Sequence, residues 1–259
     1  MDEHIQIPKS ILKQFSTVSH ATNDDGKPIK QSITYVLDID GNIYPQDIKD
    51  CNIKKGYYNI DCEQHIARCE TAFGDLKTKI LQGVKQGIHF SFGSEDIEII
   101  KKFYKMCFSR SPVFQNELVS NLDKIFPGIS FRKLQKNLFI EDPPSISDID
   151  NKNNVRIIIN ETNLNYVIPQ FCWYYIGRGQ NEILFMPISP KVGLALNHKK
   201  KKTFSSFYRN AKPDYIDALN RVAIFSEFNA NRQFVYAINA DDLKRYLPFV
   251  EVIRNEIQI

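Results

Sequence analysis

The stretch Glu182–Leu196, EILFMPISPKVGLAL, is the longest nearly uncharged apolar run in the chain. Pro187 and Pro190 interrupt it, and proline cannot donate a hydrogen bond within a sheet. We therefore predict two core strands, Ile183–Met186 and Val192–Leu196, which a tight Pro-Ile-Ser-Pro turn joins. The predicted core residues of this hairpin are Leu184, Met186 and Leu194.

The remaining apolar pattern has helical spacing before residue 140 and mainly strand spacing after residue 155. This order favours an α+β fold, with a helical N-terminal half, then a mainly antiparallel sheet and a late packing helix. The predicted helices are Pro8–Phe15, Asp61–Gly83, Ser94–Ser109, Pro112–Ile125, Ser130–Phe139, Asp214–Glu227 and Ala240–Leu247. The other predicted strands are Gln31–Ile39 with Ile43 and Tyr44, Val155–Ile159, Tyr166–Ile168, Phe171–Ile176 and Gln233–Ile238.

Capping residues predict the ends of the two long helices in the N-terminal half. Asp61 begins a variant of the capping box, and Gly83 is the predicted stop of that helix. Ser94 is the predicted cap of the next helix. That helix should end near Ser109, because Pro112 disfavours helical geometry in the residue before it.

The polar segment 141–154 carries a Pro-Pro pair and has no periodicity. We interpret the chain as a single domain, 1–259, in which 141–154 links a mainly helical part, 1–140, to a sheet-containing part, 155–259. Because Pro143–Asn153 lacks an apolar anchor in this interpretation, we predict that proteases cleave there first.

The composition indicates an ordinary globular protein. The net charge of +4 comes from interspersed basic and acidic residues, so charge alone does not indicate a nucleic-acid partner. Five cysteines without a Cys-x-x-Cys spacing favour reduced thiols in the cytoplasm. Because no secretory signal and no apolar run of about 18 residues is present, we expect no membrane contact. No glycine-rich phosphate loop follows a predicted strand, and no motif identifies a cofactor.

Arg110 stands where a predicted helix ends, between Ser109 and Ser111. Its planar guanidinium can hold a phosphate or a carboxylate through two hydrogen bonds. The alternative is a structural role, in which it caps helix carbonyls or pairs with an acid such as Glu70. Arg110 and Glu70 are the candidate catalytic residues.

Lys199–Lys202 is the only purely basic run, and aromatic residues and Arg209 follow it. Basic and aromatic side chains together can track a nucleic-acid backbone. The alternative is a solvated loop, which is the commoner fate of lysine runs. The candidate nucleic-acid-binding residues are Lys199, Lys200, Lys201, Lys202 and Arg209.

Cys62, His65 and Cys69 lie on one predicted helix, and the last two are spaced to share a metal ion. Cys62 and Cys69 are roughly 10 Å apart along the axis, so the three residues do not readily share one ion. Both cysteines also belong to the apolar stripe, where a free cysteine acts as a small hydrophobic residue. We therefore predict no metal site.

Several short motifs occur in this chain in an order that resembles their order in a bacterial family known as domain of unknown function 4238. They are Pro8 with Leu12 and Phe15; Tyr57-Tyr58; Glu70; Arg110-Ser111-Pro112; Pro187-Ile188-Ser189-Pro190; and Leu219-Asn220 before Phe234-Val235-Tyr236. The resemblance spans nearly the whole chain and marks Pro8 and Asn220 as family-like positions. The family's histidine would fall at Ile5 and its aspartate near Gln170, so both residues are lost here.

Two functions are consistent with these features. The first is an intracellular, nucleic-acid-directed hydrolase or toxin-like effector in defence against mobile elements, which the basic run, Arg110 and the resemblance favour. The second is a non-catalytic binding or adaptor protein with a protein partner. Ile5 and Gln170 favour it, because neither side chain can act as a general base at neutral pH. An enzyme that acts on a small molecule through Glu70 is a third alternative.

Overall fold

A computed structural model describes most of the chain. The described residues are 2–4, 7–22, 25–51, 53–55, 57–125, 127–128, 134–135, 147–177, 182–197, 207–208, 211–230 and 234–257. Ile5, Lys199–Lys202, Arg209 and most of the helix predicted at Ser130–Phe139 lie outside them.

The helices lie in the N-terminal half and near the C-terminal end, as predicted for an α+β fold. They are α1 (Lys9–Leu12), α2 (Ile60–Gln86), α3 (Ser94–Ser109), α4 (Pro112–Asp123), α5 (Ser147–Asp150), α6 (Pro213–Asn229), α7 (Ala240–Lys244) and α8 (Leu247–Ile257). Single 3-10 turns occupy Lys13–Phe15 and Ile48–Asp50.

The strands form two larger sheets and one small pair. They are β1 (Asp2–His4), β2 (Thr17–Thr22), β3 (Pro28–Asp38), β4 (Ile43–Asp47), β5 (Ile53–Lys55), β6 (Asn154–Ile159), β7 (Ile168–Pro169), β8 (Tyr174–Ile176), β9 (Ile183–Ser189), β10 (Val192–Asn197), β11 (Phe207–Tyr208) and β12 (Phe234–Ala237). The first sheet has the order β11-β6-β10-β9-β8, and the second has the order β2-β3-β12-β7 with β4 also on β3. Their pairings are antiparallel except that of β11 with β6.

The hairpin of β9 and β10 lies inside the first sheet, as its apolar sequence predicts. Leu184, Met186 and Leu194 are each 0% exposed, which confirms them as core residues. They belong to a connected hydrophobic core that also includes side chains of α2, α3, α6 and the second sheet. The core is therefore built across the whole fold rather than within one half of the chain.

The turn of this hairpin is shorter than predicted. β9 continues through Pro187 to Ser189, so the predicted strand end at Met186 is wrong. Val192 pairs with Ser189, whereas Gly193 pairs with Pro187, and the register shifts between them. A proline is tolerated in a strand beside such an irregularity, because the ladder is already interrupted there.

The second sheet joins the two ends of the chain. β3 from the N-terminal half pairs with β12 near the C-terminal end, and Thr34 Oγ1 donates a 3.1 Å hydrogen bond to the Ala237 carbonyl. The predicted hairpin of β3 and β4 is confirmed, and Gly41 adopts a left-handed φ of 87° in its turn. Sequence analysis missed β2, which is exposed along nearly all its length.

Helix α2 extends beyond both of its predicted ends. The side chain of Asn59, rather than Asp61, caps it by accepting a 2.9 Å hydrogen bond from the first turn. Gly83 lies inside the helix, so the predicted stop is wrong. Gly87 ends the helix with a left-handed φ of 71°, and the amide of Ile88 donates a 2.9 Å hydrogen bond to the Gly83 carbonyl.

Two other helix predictions need correction. Gly93 is the N-cap of α3, and its amide donates a 2.9 Å hydrogen bond to Asp96, so Ser94 is the first helical residue rather than the cap. The end of α3 at Ser109 is as predicted. The closing helix predicted at Ala240–Leu247 is instead the pair α7 and α8.

The segment 141–154 is structured over its second part. Residues 147–150 form α5, Ile149 is fully buried, and Lys101 on α3 donates a 3.0 Å hydrogen bond to the Asp150 carbonyl. The premise that this segment has no apolar anchor is therefore wrong over 147–154, while 141–146 lie outside the described residues. The division of the chain at this segment stays a prediction.

None of the helices that the structure describes is both long and apolar enough to cross a membrane.

Candidate functional site: a buried arginine and its partners

The structure brings the two candidate catalytic residues together. Arg110 follows the last residue of α3, and Glu70 lies in the middle of α2. The Nη1 of Arg110 donates a 2.5 Å hydrogen bond to Oε1 of Glu70. The arginine side chain is 2% exposed, whereas that of Glu70 is 26% exposed. The pair is thus buried at its cationic end and reaches solvent at its anionic end.

The aromatic ring of Tyr58 lies beside the same guanidinium, with Arg110 Cζ 5.9 Å from the ring centroid. Burial alone would lower the pKa of Arg110, but Tyr58 and Glu70 outweigh it and raise that pKa above its ordinary value. Burial raises the pKa of Tyr58 to about 12, although Arg110 opposes this shift. At neutral pH the site therefore holds a charged guanidinium and a protonated phenol.

Two buried glutamines fix the chain at Tyr57 and its neighbours. Tyr57 hydrogen-bonds through its hydroxyl to Gln115, whose Nε2 donates 2.9 Å to the Ser109 carbonyl. Gln135 donates a 2.7 Å hydrogen bond to the Tyr57 carbonyl and accepts a 2.8 Å hydrogen bond from the Asn59 amide. Sequence analysis missed both glutamines, because an isolated glutamine in a polar helix has no sequence signal that distinguishes it from a surface residue.

Two buried thiols, Cys107 and Cys172, also lie near Arg110. Burial raises the pKa of Cys172 well above its ordinary value, and its hydrogen bond to Cys107 adds to the shift. A thiol reacts as its thiolate, so this environment makes Cys172 a poor nucleophile at neutral pH.

The backbone at Cys172 explains why β8 starts later than predicted. Cys172 has a left-handed φ of 71°, and its amide donates 2.9 Å to the Pro169 carbonyl in a turn. This conformation is unusual for a residue with a side chain. The strand predicted at Phe171–Ile176 is therefore wrong in its first half, and β8 begins at Tyr174.

A fully buried acid, Glu227, lies near the same turn. Its Oε2 accepts a 3.4 Å hydrogen bond from the Phe171 amide, and its charge raises the pKa of Cys172 as a minor contribution after burial. The helix predicted to end at Glu227 continues to Asn229, so Glu227 lies within α6. Sequence analysis missed this residue, because its burial depends on a turn far away in the chain.

Gln170, near which the resembled family would have its aspartate, is a buried amide. Gln170 is buried, and its backbone amide donates 3.0 Å to the Phe234 carbonyl at the edge of the second sheet. Neither this contact nor the chemistry of an amide provides a general base.

The other family-like positions have structural contacts. Pro8 is the N-cap of α1, where its carbonyl accepts a 2.9 Å hydrogen bond from the amide of Ile11. Asn220 is buried in α6 and makes three hydrogen bonds to neighbouring elements. Its side chain accepts a 3.1 Å hydrogen bond from the Val167 amide. It donates hydrogen bonds of 2.8 Å to the Asn165 carbonyl and 2.9 Å to the Tyr246 hydroxyl.

His65 and Cys69 are neighbours on α2, as their spacing predicts. Cys69 Sγ lies 3.6 Å from His65 Nε2, and burial lowers the pKa of His65, with Arg68 and Lys102 adding to the shift. Within the described ranges, no group of three or more His, Cys, Asp and Glu side chains is arranged to hold a metal ion.

Comparison of the chain with protein families, with curated proteins and with solved structures found no match in any of the three. The resemblance to domain of unknown function 4238 therefore stays a prediction.

Proposed function

We propose that the protein is a non-catalytic binding or adaptor protein. The observation that carries this proposal is the ion pair of Arg110 and Glu70, in which the guanidinium is 2% exposed. A catalytic arginine stabilises charge that develops on its substrate, so its donors must reach that substrate. Here one donor is bound to Glu70 and the whole group is enclosed. An incoming phosphate would have to open the core to reach the guanidinium, whose charge Glu70 already neutralises.

Two positions, Gln170 and Cys172, are also unsuited to act as a base and as a nucleophile, respectively, at neutral pH. Gln170 lies near the position where the resembled family would have its acid, and an amide does not accept a proton. Burial keeps the pKa of Cys172 high, so its sulfur stays protonated. These features support a structural role for the cluster around Arg110.

The exposed strand β2 provides the surface that an adaptor requires. Among the described residues β2 pairs with β3 alone, and its other edge ends the second sheet. Every residue of Thr17–Thr22 is exposed except Ala21, which is half-buried. The strand, TVSHAT, contains no proline, lysine or acid. Natural edge strands usually carry such residues to prevent pairing with other chains.

An extended segment of another protein is the occupant that suits this edge. Its backbone would add one strand to the second sheet, and main-chain hydrogen bonds would supply much of the affinity. An uncharged strand offers little attraction to the phosphates of a nucleic acid, whose binding depends on cationic contacts. The candidate nucleic-acid contacts Lys199–Lys202 and Arg209 lie outside the described residues, and nucleic-acid binding is the competing outcome.

A cleavage assay separates the adaptor from the hydrolase. Wild type, Arg110→Lys and the control Arg221→Lys are incubated with labelled RNA and DNA at low salt, with and without Mg²⁺. The control replaces an arginine that is paired with Asp217 on the surface of α6. We expect no cleavage by any of the three proteins. Cleavage by wild type and the control, with loss of activity in a folded Arg110→Lys variant, would establish the hydrolase instead.

Cross-linking in cells that express the protein tests whether a partner segment binds along β2. Lys30 on β3 is exposed and pairs with His20 of β2, so a lysine-reactive reagent should link it to a partner bound along β2. We expect a defined partner peptide in wild type and in Val18→Thr, and its loss in Val18→Glu, since a charge on an edge strand opposes pairing and glutamate adds no amine for the reagent. A link that survives Val18→Glu, or a link only to a second copy of this chain, would contradict the proposed partner.

A further inference from the structure

Two buried tyrosine hydroxyls beside the first sheet have no hydrogen-bond partner. Tyr166 is 0% exposed and Tyr174 is 1% exposed. Neither hydroxyl oxygen bonds to another group of the described chain. Buried polar groups are nearly always paired with protein, water or a ligand, since an unpaired hydroxyl loses its hydration without replacement. These two hydroxyls therefore require an explanation.

Both tyrosine rings pack against the same phenylalanine. The rings of Tyr166 and Tyr174 meet Phe185 edge to face, with centroid distances of 5.4 Å and 5.5 Å. Phe185 is held in place over β10, since a Cβ atom added at Gly193 would lie 2.2 Å from its Cζ. The two tyrosines thus approach one region of the core, on the face of the first sheet that carries the Phe185 ring.

Helix α6 packs against β8 and brings a third tyrosine to this region. Burial raises the pKa of Tyr174, and the hydroxyls of Tyr166 and Tyr215 add to the shift. Burial also raises the pKa of Tyr166, again with a contribution from Tyr215. Both buried hydroxyls are therefore protonated donors at neutral pH. Tyr215 is 38% exposed in the first turn of α6, so the tyrosine cluster extends to the surface.

We propose that the hydroxyls of Tyr166 and Tyr174 together bind the oxygen of one small uncharged ligand between the first sheet and the first turn of α6. Two donors that face one region suit a single acceptor oxygen. Burial has the largest effect on both hydroxyls, and the groups that act on them after burial are other tyrosines, rather than a cation that would neutralise an anion. The acceptor is a water molecule or the oxygen of a small carbonyl or alcohol compound.

Removal of the hydroxyls tests this site, because a bound oxygen and an unpaired hydroxyl predict changes in Tm of opposite sign. If each hydroxyl donates to a bound oxygen, Tyr166→Phe and Tyr174→Phe should each lower the Tm of the full-length protein by about 2 to 4 °C. Because the hydroxyls share one oxygen, the double variant should lose less than the sum of the two. Tyr104→Phe gives the scale for one buried hydrogen bond, since its hydroxyl donates 3.4 Å to the Leu194 carbonyl.

An unchanged or raised Tm in both single variants would overturn the site, since deletion of an unpaired hydroxyl relieves its desolvation. Strict additivity in the double variant would overturn the shared oxygen. Native mass spectrometry then distinguishes a bound organic compound from a bound water molecule. An added mass on wild type that is absent from the double variant identifies an organic compound. The polypeptide mass alone, together with the lowered Tm, identifies water, and either result supports the site.

Discussion

The side-chain oxygen of Asn220 accepts a 3.1 Å hydrogen bond from the backbone amide of Val167. This contact joins α6 to the segment that leads into β7. The amide nitrogen of the same side chain binds the Asn165 carbonyl and the Tyr246 hydroxyl. Asn220 therefore connects three parts of the fold, and these contacts give its side chain a structural role.

Asn220→Ala should reduce the free energy of unfolding by about 2 to 3 kcal/mol, because it leaves buried backbone groups without partners. Chemical denaturation measures the change. Asn121→Ala is the control, since Asn121 is exposed and accepts a 3.3 Å hydrogen bond from Lys124. Equal losses in the two variants would contradict the connecting role of Asn220.

Leu194→Asp should reduce the free energy of unfolding by more than about 4 kcal/mol, because it places an unpaired charge at a position with no solvent exposure. Val18→Asp is the control on β2, where the side chain is 56% exposed. Thermal melting of both variants measures the difference. A Leu194→Asp variant that melts with wild type would place the hairpin outside the core.

Alanine substitution at two glycines tests where α2 ends. Gly83→Ala should stabilise the protein by about 0.5 to 1 kcal/mol, because Gly83 is inside the helix and a Cβ atom would lie 3.7 Å from the Ile88 carbonyl oxygen. Gly87→Ala should destabilise it by about 1 kcal/mol, since φ is 71° there. If Gly83→Ala were destabilised and Gly87→Ala stabilised, the helix would end at Gly83, as the sequence predicts.

Lys77 should make stability depend on alkaline pH. Its side chain is 4% exposed, its Nζ donates 2.5 Å to the Ser10 carbonyl, and burial, with Lys13 adding to the effect, lowers its pKa to about 8. Between this value and the pKa of about 10.4 of an unfolded lysine, the unfolded chain binds one more proton. The contribution of Lys77 to stability therefore rises with pH across this window.

The measurement is the free energy of unfolding of wild type and Lys77→Met at pH 7 and at pH 10. Relative to the variant, wild type should gain about 1 to 3 kcal/mol on going to the higher pH. Lys79→Met, at an exposed position of the same helix, controls for general effects of pH. A pH-independent difference between wild type and Lys77→Met would contradict the lowered pKa.

The parts of the fold that sequence analysis predicted are those with a local signal. Leu184 and Leu194 lie in uninterrupted apolar strands, and α2 and α3 have a clear helical stripe. β2 has no such signal, because both of its faces are exposed and its residues do not alternate. The pairing of β3 with β12 was also not predicted, since it joins segments far apart in the chain.

The candidate site also has a part that sequence analysis predicted and a part that it did not. The contact of Arg110 with Glu70 was one of two alternatives from sequence, because each residue lies on a predicted helix or at its end. The burial of Gln115, Gln135 and Glu227 was not predicted. A polar side chain is stable in a core only through partners from other segments, and those partners depend on the tertiary fold.

A double-mutant cycle on Arg110 and Glu70 tests most directly whether their pair is structural. Chemical denaturation gives the free energies of unfolding of wild type, Arg110→Met, Glu70→Gln and the double variant. We expect Glu70→Gln to cost about 3 kcal/mol, because it leaves a buried guanidinium without its counter-charge. The double variant should lose at least about 1 kcal/mol less than the sum of the single losses. Additive losses, with Glu70→Gln as stable as wild type, would contradict a structural pair and leave Arg110 available for a ligand.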